Sequence, residues 1–216
     1  MKRIRQGRSA RGLAACFLIA LAAAWSNASC TKAAPTSVLA APADSKEVFS
    51  EVGPFELVDR GGSTVTRETL LGHPWVASFL FTRCTGPCPK VVGTLRRLQA
   101  RLERQAAHIV TFSVDPQFDT PEVLRSYAAD AGADPKRWLF LTGDEKAIDA
   151  LIQKSFLCAV ARAPAGEAPV GEAVSHRTQL VAVDRKGKIR GYYAGETDAE
   201  LDLLVARLAF LENERE

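Results

Sequence analysis

Apolar and polar positions alternate along the chain in a pattern that predicts strands and helices in turn. A continuous apolar run at 75–81 is typical of a buried strand, and the run at 108–114 has the same character. Between them the sequence predicts a helix over 87–105. Its apolar residues recur three or four positions apart, at Val91, Leu95, Leu98 and Leu102. This order predicts a β–α–β unit.

The alternation continues to the C-terminus. The further predicted elements are a helix starting at 119–121, a strand at 138–141, a helix at 144–158, a loop at 162–171, strands at 179–183 and 189–193, and a helix at 198–211. A short hairpin at 55–62 precedes them. The order predicts an α/β, thioredoxin-like fold, in which a mixed central sheet carries helices on both faces.

The N-terminal segment is typical of an export signal, predicted at 1–29, because a basic stretch precedes an apolar run. That run is shorter than the ~20 residues of a membrane span, and both a cleaved signal and an uncleaved anchor fit it. Ala-Ser-Cys at 28–30 resembles a bacterial lipobox, so Cys30 is the predicted lipidation site, with an ordinary signal as the alternative. We expect a flexible linker at 30–48 and one folded domain at 49–216.

The formal charge of +3 belongs to the signal. The signal contains five basic residues and no acidic one. Subtracting these five charges leaves a formal charge of about −2 for the chain that begins at Cys30. Nucleic acid is therefore not an expected partner. We expect an exported protein tethered to a membrane and facing the periplasm or another extracytoplasmic space.

Two cysteines lie between the strand at 75–81 and the next helix, in the sequence Cys-Thr-Gly-Pro-Cys. The Gly-Pro turn predicts that Cys88 falls in the first helical turn and Cys84 just outside it. We expect the helix dipole to lower the pKa of a thiolate there. The spacing brings the Cα atoms to ~6 Å, which fits a Cys84–Cys88 disulfide and shared metal ligation equally well.

The remaining cysteines do not extend this pair into a disulfide scaffold. Cys16 lies in the signal, and Cys158, at the end of a predicted helix, is expected to be a buried, inert thiol. His176 precedes the strand at 179–183, in the segment where thioredoxins carry a cis-proline beside their redox pair. A lone loop histidine is most often solvent-exposed. Two thiolates and one imidazole would nevertheless form a soft site that suits monovalent copper.

Several motifs then occur in a fixed order: Phe-Thr-Arg-Cys-Thr-Gly-Pro-Cys-Pro at 81–89, Phe-Ser-Val-Asp-Pro at 112–116, Asp-Thr-Pro at 119–121, Trp-Leu-Phe-Leu-Thr-Gly at 138–143 and Val-Ser-His at 174–176. With them the chain from about residue 49 resembles the Sco family (SenC-type) of copper proteins. The resemblance implies a thioredoxin fold and membrane tethering. It also implies that Cys84, Cys88 and His176 bind copper for the assembly of cytochrome c oxidase.

One position departs from the family pattern. The residue before the histidine is often Asp in that family and is Ser175 here, so a carboxylate that would orient the imidazole is missing. Asp115, before a proline, could support the metal site or cap its turn, and both interpretations stay open. His73 and His108 are predicted to face solvent.

Three functions fit these residues. The first is a metallochaperone, not an enzyme, that delivers copper to the binuclear copper site of an oxidase subunit. The second is a thiol-disulfide reductase that keeps the acceptor's copper-ligand cysteines reduced. The third is a redox or copper sensor that uses the same ligands. A peroxidase is less expected, since that chemistry needs one activated cysteine rather than a closely spaced pair.

Overall fold

The computed structural model describes residues 41–163 and 179–214, and the backbone alone of 174–176. The strands in this part of the chain are β1 (Ser50–Glu51), β2 (Glu56–Asp59), β3 (Thr64–Thr66), β4 (Trp75–Leu80), β5 (His108–Ser113), β6 (Trp138–Thr142), β7 (Val160–Arg162), β8 (Val174–His176), β9 (Leu180–Val183) and β10 (Lys188–Tyr193). The helices are a 3₁₀ turn (Glu68–Leu70), α1 (Cys88–Arg101), α2 (Pro121–Asp130), α3 (Glu145–Lys154) and α4 (Asp198–Asn213).

Strand β4 is the centre of the sheet, and all six of its residues are buried. It pairs in parallel with β5 and antiparallel with β9. A strand covered on both faces has no solvent-facing position, which is why its sequence is a continuous apolar run rather than an alternation. The full order of the eight-stranded sheet is β1-β10-β9-β4-β5-β6-β2-β3, and β7 pairs with β8 separately.

Aromatic side chains fill both faces of this sheet. Phe79 and Phe112 are register partners and stack on one face with Phe156, which follows α3. Phe140 pairs with a neighbour of Phe112 and therefore lies on the opposite face, where it meets Tyr127 of α2. The observed mixed sheet, covered on both faces, agrees with the predicted architecture.

The sheet also fixes where the loops of the protein meet. Because β4 and β5 are parallel, the loops that follow them leave from the same edge of the sheet. Strand β9 runs the other way, with Val181 opposite Ala77, so its first residue, Leu180, lies near that edge. We call this end of the sheet, where β4 and β5 finish, the cysteine edge, because the chain reaches Cys84 four residues after β4 ends.

The structure differs from the sequence prediction at several element ends, and helix α1 ends at Arg101 rather than at 105. Helix α3 ends at Lys154, so Cys158 lies beyond it rather than at its end, although it is buried as predicted. Strand β7 reaches Arg162, where the predicted loop begins; residues 164–173 lie outside the described part of the chain. The segment from Ala41 to Val48, predicted as linker, makes hydrogen bonds with the domain through the carbonyl oxygens of Ala41, Ala43, Ser45 and Glu47.

Candidate metal centre

The loop after β4 brings Cys84 and Cys88 together. The backbone N–H of Cys84 donates to the carbonyl of Phe81 at 3.3 Å, which tightens the turn. Pro87 occupies the N-cap rather than the first helical position, and α1 begins at Cys88, which lies in the first helical turn as the sequence predicts. Cys88 is fully buried and Cys84 is half-buried, so only the latter presents its sulfur toward the surface.

The two cysteines are free thiols in the structure. The pKa of Cys88 is raised to about 12, first because burial disfavours the thiolate and second because of the hydrogen bond with Cys84. The expectation that the helix start lowers this pKa is therefore wrong for Cys88, since desolvation outweighs the dipole. A bound cation would reverse this balance by stabilising the thiolate.

A buried carboxylate, Asp119, holds the cysteine loop to the end of β5. It accepts hydrogen bonds from the backbone N–H and the hydroxyl of Thr82 and from the hydroxyl of Ser113. Burial raises its pKa, and these hydrogen bonds oppose the rise. The sequence places Asp119 at the start of a helix and does not predict this contact. The cap is Thr120, whose hydroxyl accepts from the N–H of Val123, and this leaves Asp119 for the loop.

Asp115 lies on the other side of the same loop. Its carboxylate accepts two hydrogen bonds from the Arg83 guanidinium, from Nε at 3.1 Å and from Nη2 at 2.6 Å. The Arg83 guanidinium also lies over the ring of Phe118, 4.2 Å from its centroid. The side chain of Asp115 therefore binds the residue next to Cys84, and any contribution to metal binding stays a prediction.

Two grooves flank the first turn of α1. One, of about 300 Å³, lies between α1 and α2 and is lined by Pro89, Arg96 and Tyr127 among others. The pKa of Tyr127 is raised to about 12, mainly by burial and then by the nearby Cys88 and Cys84. The other groove, of about 130 Å³, lies on the opposite side of the helix. Each groove is lined by one of the two residues next to Cys88, Pro89 in the larger groove and Pro87 in the smaller one.

His176 belongs by its backbone to β8, where it is the register partner of Val160. Its side chain lies outside the described part of the structure. Leu180 begins β9 near the cysteine edge, and four residues of chain span at most ~14 Å. This reach allows His176 to lie at the edge that carries Cys84 and Cys88, and its role as a ligand stays a prediction.

Other predicted positions lie away from this edge. His73 is exposed, but His108 is half-buried and packs against it edge to face, with ring centroids 5.5 Å apart, so the prediction of two solvent-facing histidines is wrong for His108. Cys30 lies outside the described residues. Among the side chains that are described, no three His, Cys, Asp or Glu groups are placed to bind a metal ion together. None of the helices in the described ranges has the length and apolar character of a membrane span.

Comparison with solved structures supports the fold. The SCO1/SenC family lipoprotein from Bacillus anthracis is 27% identical, with a TM-score of 0.68 over 75% of this chain and 95% of that one. BsSco, a member of the Sco family of cytochrome c oxidase assembly proteins in which a disulfide switch was identified, is 31% identical, with a TM-score of 0.68 over 79% and 98% of the two chains.

ScoI from Bradyrhizobium japonicum, solved with copper bound, is 25% identical, with a TM-score of 0.64 over 75% of this chain and 99% of that one. These likenesses confirm the predicted thioredoxin-like α/β fold. At the level of sequence, the model of the SCO1/SenC family matches residues 43–208, which is most of the chain. On this match the chain belongs to the SCO1/SenC family.

Proposed function

We propose that this protein binds a copper ion through Cys84, Cys88 and His176 and delivers it to the binuclear copper site of cytochrome c oxidase during assembly. The observation that carries the proposal is the pair of free thiols, four residues apart, where β4 leads into α1. Two sulfur ligands fit monovalent copper, which prefers soft donors and low coordination. The copper bound to Bradyrhizobium japonicum ScoI and the assembly role of the BsSco family support it.

The position of the pair also suits metal transfer. Cys84 is half-buried at the surface and Cys88 is fully buried, so an incoming ligand reaches the metal from the Cys84 side. A site with three protein ligands keeps a position open for that incoming ligand. Transfer then proceeds by exchange of ligands, one at a time, without exposing the ion to water.

The direct test is copper binding by the reduced protein and by single variants. Cys84→Ser and Cys88→Ser each remove one sulfur and should abolish stoichiometric binding. His176→Ala should weaken copper affinity by at least about 10- to 100-fold. Substituting a residue that only supports a metal ligand typically costs that much, so the loss of a ligand itself should cost no less. His73→Ala is the matched control, since His73 is exposed and precedes β4 at the other end of that strand. Equal affinity of His176→Ala and His73→Ala would exclude the histidine as a ligand.

A second candidate function is thiol-disulfide reduction, favoured by the unequal exposure of the two thiols and by the disulfide switch identified in BsSco. Cys84 as thiolate would attack one sulfur of an acceptor disulfide and release the other as a thiol. Cys88 would then displace the acceptor from the mixed disulfide. The products are a Cys84–Cys88 disulfide and a dithiol acceptor, with two electrons transferred.

Oxidase assembly in cells separates the two functions. Under the reductase hypothesis, disulfide exchange needs only the two sulfurs of the pair. His176→Ala should therefore support normal oxidase assembly, whereas Cys88→Ser should not. Under the chaperone proposal both variants fail, and added copper rescues His176→Ala because its two sulfurs remain. A sensor would bind copper with the same ligands but would leave assembly intact when a constitutively signalling partner is supplied.

Tethering to a membrane through Cys30 completes the proposal. The lipobox-like sequence motivates it, and the relative from Bacillus anthracis described as a lipoprotein supports it. Labelling cells with a fatty-acid analogue should mark the wild-type chain and leave Cys30→Ser unmarked. Equal labelling of both, or a mature N-terminus at another residue, would contradict lipidation at Cys30.

A further inference from the structure

An open cavity of about 300 Å³ lies at the end of the sheet opposite the cysteine edge. It is bordered by the turn between β9 and β10, where Arg185 accepts a backbone hydrogen bond from Gly72, just before β4 begins. Val183, the last residue of β9, is the register partner of Trp75, the first residue of β4. The cavity and Cys84 are therefore separated by the length of β4, about 20 Å for six residues.

The lining of this cavity is basic. It carries five cationic side chains and two carboxylates, and the cations are Lys46, Arg185, Lys186, Lys188 and Arg190. The remaining lining residues include only two apolar side chains, so charge rather than apolar contact distinguishes this surface. We call it the basic surface.

Both carboxylates of the basic surface are bound to one buried cation. Arg190, which is 4% exposed, donates to Oδ2 of Asp184 at 2.9 Å and to both carboxylate oxygens of Glu214, at 2.8 and 3.1 Å. The other oxygen of Asp184 accepts from the backbone N–H groups of Lys186 and Lys188 and so shapes the turn that carries these lysines. Among the lining residues the five positive charges therefore exceed the two negative ones, and the backbone of the turn that carries Lys186 and Lys188 is held in place.

The segment that leads to the predicted tether runs along the same surface. Lys46 itself belongs to this segment, and the guanidinium of Arg190 fixes it by donating to the carbonyls of Ser45 and Glu47, at 3.3 and 2.9 Å. Arg207 holds the preceding turn through the carbonyl of Ala43. From Cys30 to Ala41 the chain spans at most ~40 Å. A membrane anchor therefore keeps the basic surface within reach of lipid headgroups.

From this combination we infer that the basic surface docks on anionic membrane lipid, through the phosphates of the headgroups. Basic residues beside a membrane are attracted to anionic lipid, and each one near the surface strengthens binding about fivefold. Docking in this way turns the cysteine edge away from the bilayer, toward a partner domain that projects from it. The inference rests on the proposed tether but not on copper binding.

The test measures lysine acetylation in the full chain reconstituted in vesicles. In phosphatidylcholine vesicles that contain phosphatidylglycerol, Lys46, Lys186 and Lys188 should react several-fold more slowly than in pure phosphatidylcholine. High salt should remove this protection, because screening shortens the range of the attraction to a few ångströms. Lys90 and Lys146 are internal controls, since both are exposed and follow strand ends at the cysteine edge. Their rates should not depend on the lipid.

A double variant gives an independent measurement. Lys186→Glu with Lys188→Glu should abolish the protection of Lys46 in anionic vesicles, whereas Lys146→Glu should leave it unchanged. If inorganic phosphate alone protects the three lysines in neutral vesicles, the basic surface is a site for small anions rather than for a lipid surface. That result would overturn the inference. Flotation with vesicles but equal rates in both lipids would overturn it while leaving the tether intact. Failure to float with either lipid would overturn the tether and the inference together.

Discussion

The carboxylate of Asp119 binds both the backbone N–H and the hydroxyl of Thr82, two residues before Cys84. It also accepts from Ser113 at the end of β5 and is itself fully buried. One side chain therefore ties the loop that carries the thiols to the neighbouring parallel strand. The position of Cys84 depends on this tie as much as on the cysteine's own sequence neighbours.

Removing this carboxylate should destabilise the protein. Asp119→Ala leaves the buried hydroxyl of Ser113 and the two part-buried donors of Thr82 without their acceptor. A buried unpaired donor costs roughly 1–3 kcal/mol, and the half-buried Thr82 donors cost less because water can reach them, so we expect a loss of about 2–4 kcal/mol in the free energy of unfolding. Urea unfolding measures it. Glu103→Ala is the control, since Glu103 is exposed and lies near the far end of α1. A loss below 0.5 kcal/mol, about the size of a surface substitution, would mean that the Asp119 contacts are unimportant.

Burial predicts an order of reaction for the two thiols. Cys88 is inaccessible and its pKa is raised to about 12, so it should be almost entirely protonated and slow to react at pH 8. Cys84 should therefore be alkylated first by iodoacetamide in the metal-free, reduced protein. Peptide mass spectrometry over a time course shows the order. Faster labelling of Cys88 would reverse the assignment of the attacking cysteine in the reductase mechanism.

Copper binding should depend on the oxidation state of the pair. A Cys84–Cys88 disulfide removes two of the three proposed ligands, so the oxidised protein should bind copper poorly and recover after reduction. Copper stoichiometry before and after treatment with a thiol reductant tests this. Cys158→Ser should change neither value, because Cys158 is buried and donates to the carbonyl of Phe156. Full copper retention by disulfide-bonded protein would contradict the ligand set.

Stability should fall on mild acidification because of His108. Its pKa is lowered, mainly by burial and further by His73 and Arg137. As pH falls below about 6.5 the unfolded chain therefore gains a proton before the folded protein does, which favours unfolding. Above that pH His108 is neutral in both the folded and the unfolded chain, so it does not change the stability. His108→Gln should show a smaller loss of stability than wild type between pH 7.5 and pH 5.5 in urea unfolding.

His73→Gln is the matched variant for this experiment. His73 is exposed and is a secondary cause of the shift, so its removal should reduce the acid sensitivity less than removal of His108. Identical pH dependence of wild type and His108→Gln would show that the acid sensitivity arises at other groups.

The central strands and helices were predictable because each has a long apolar run or a clear stripe. Strand β1 has two residues and β7 has three, too few for any periodicity to appear in a sequence. The burial of Cys88 was also invisible, since a pattern places it at a helix start but does not show what covers it. Asp119 offered one usable signal: the Thr120 that follows can cap the helix alone, which leaves the acid for another partner.

The edge strand β1 lies near the start of the described chain, yet its partner β10 is far along the chain, with Ser50 opposite Ile189. Such pairing between distant residues slows folding, since the intervening chain must be ordered before the contact forms. A polypeptide that crosses a membrane with its N-terminus first therefore cannot complete its sheet until most of its length has emerged. Under the proposed export, this topology delays completion of the sheet until translocation is nearly finished.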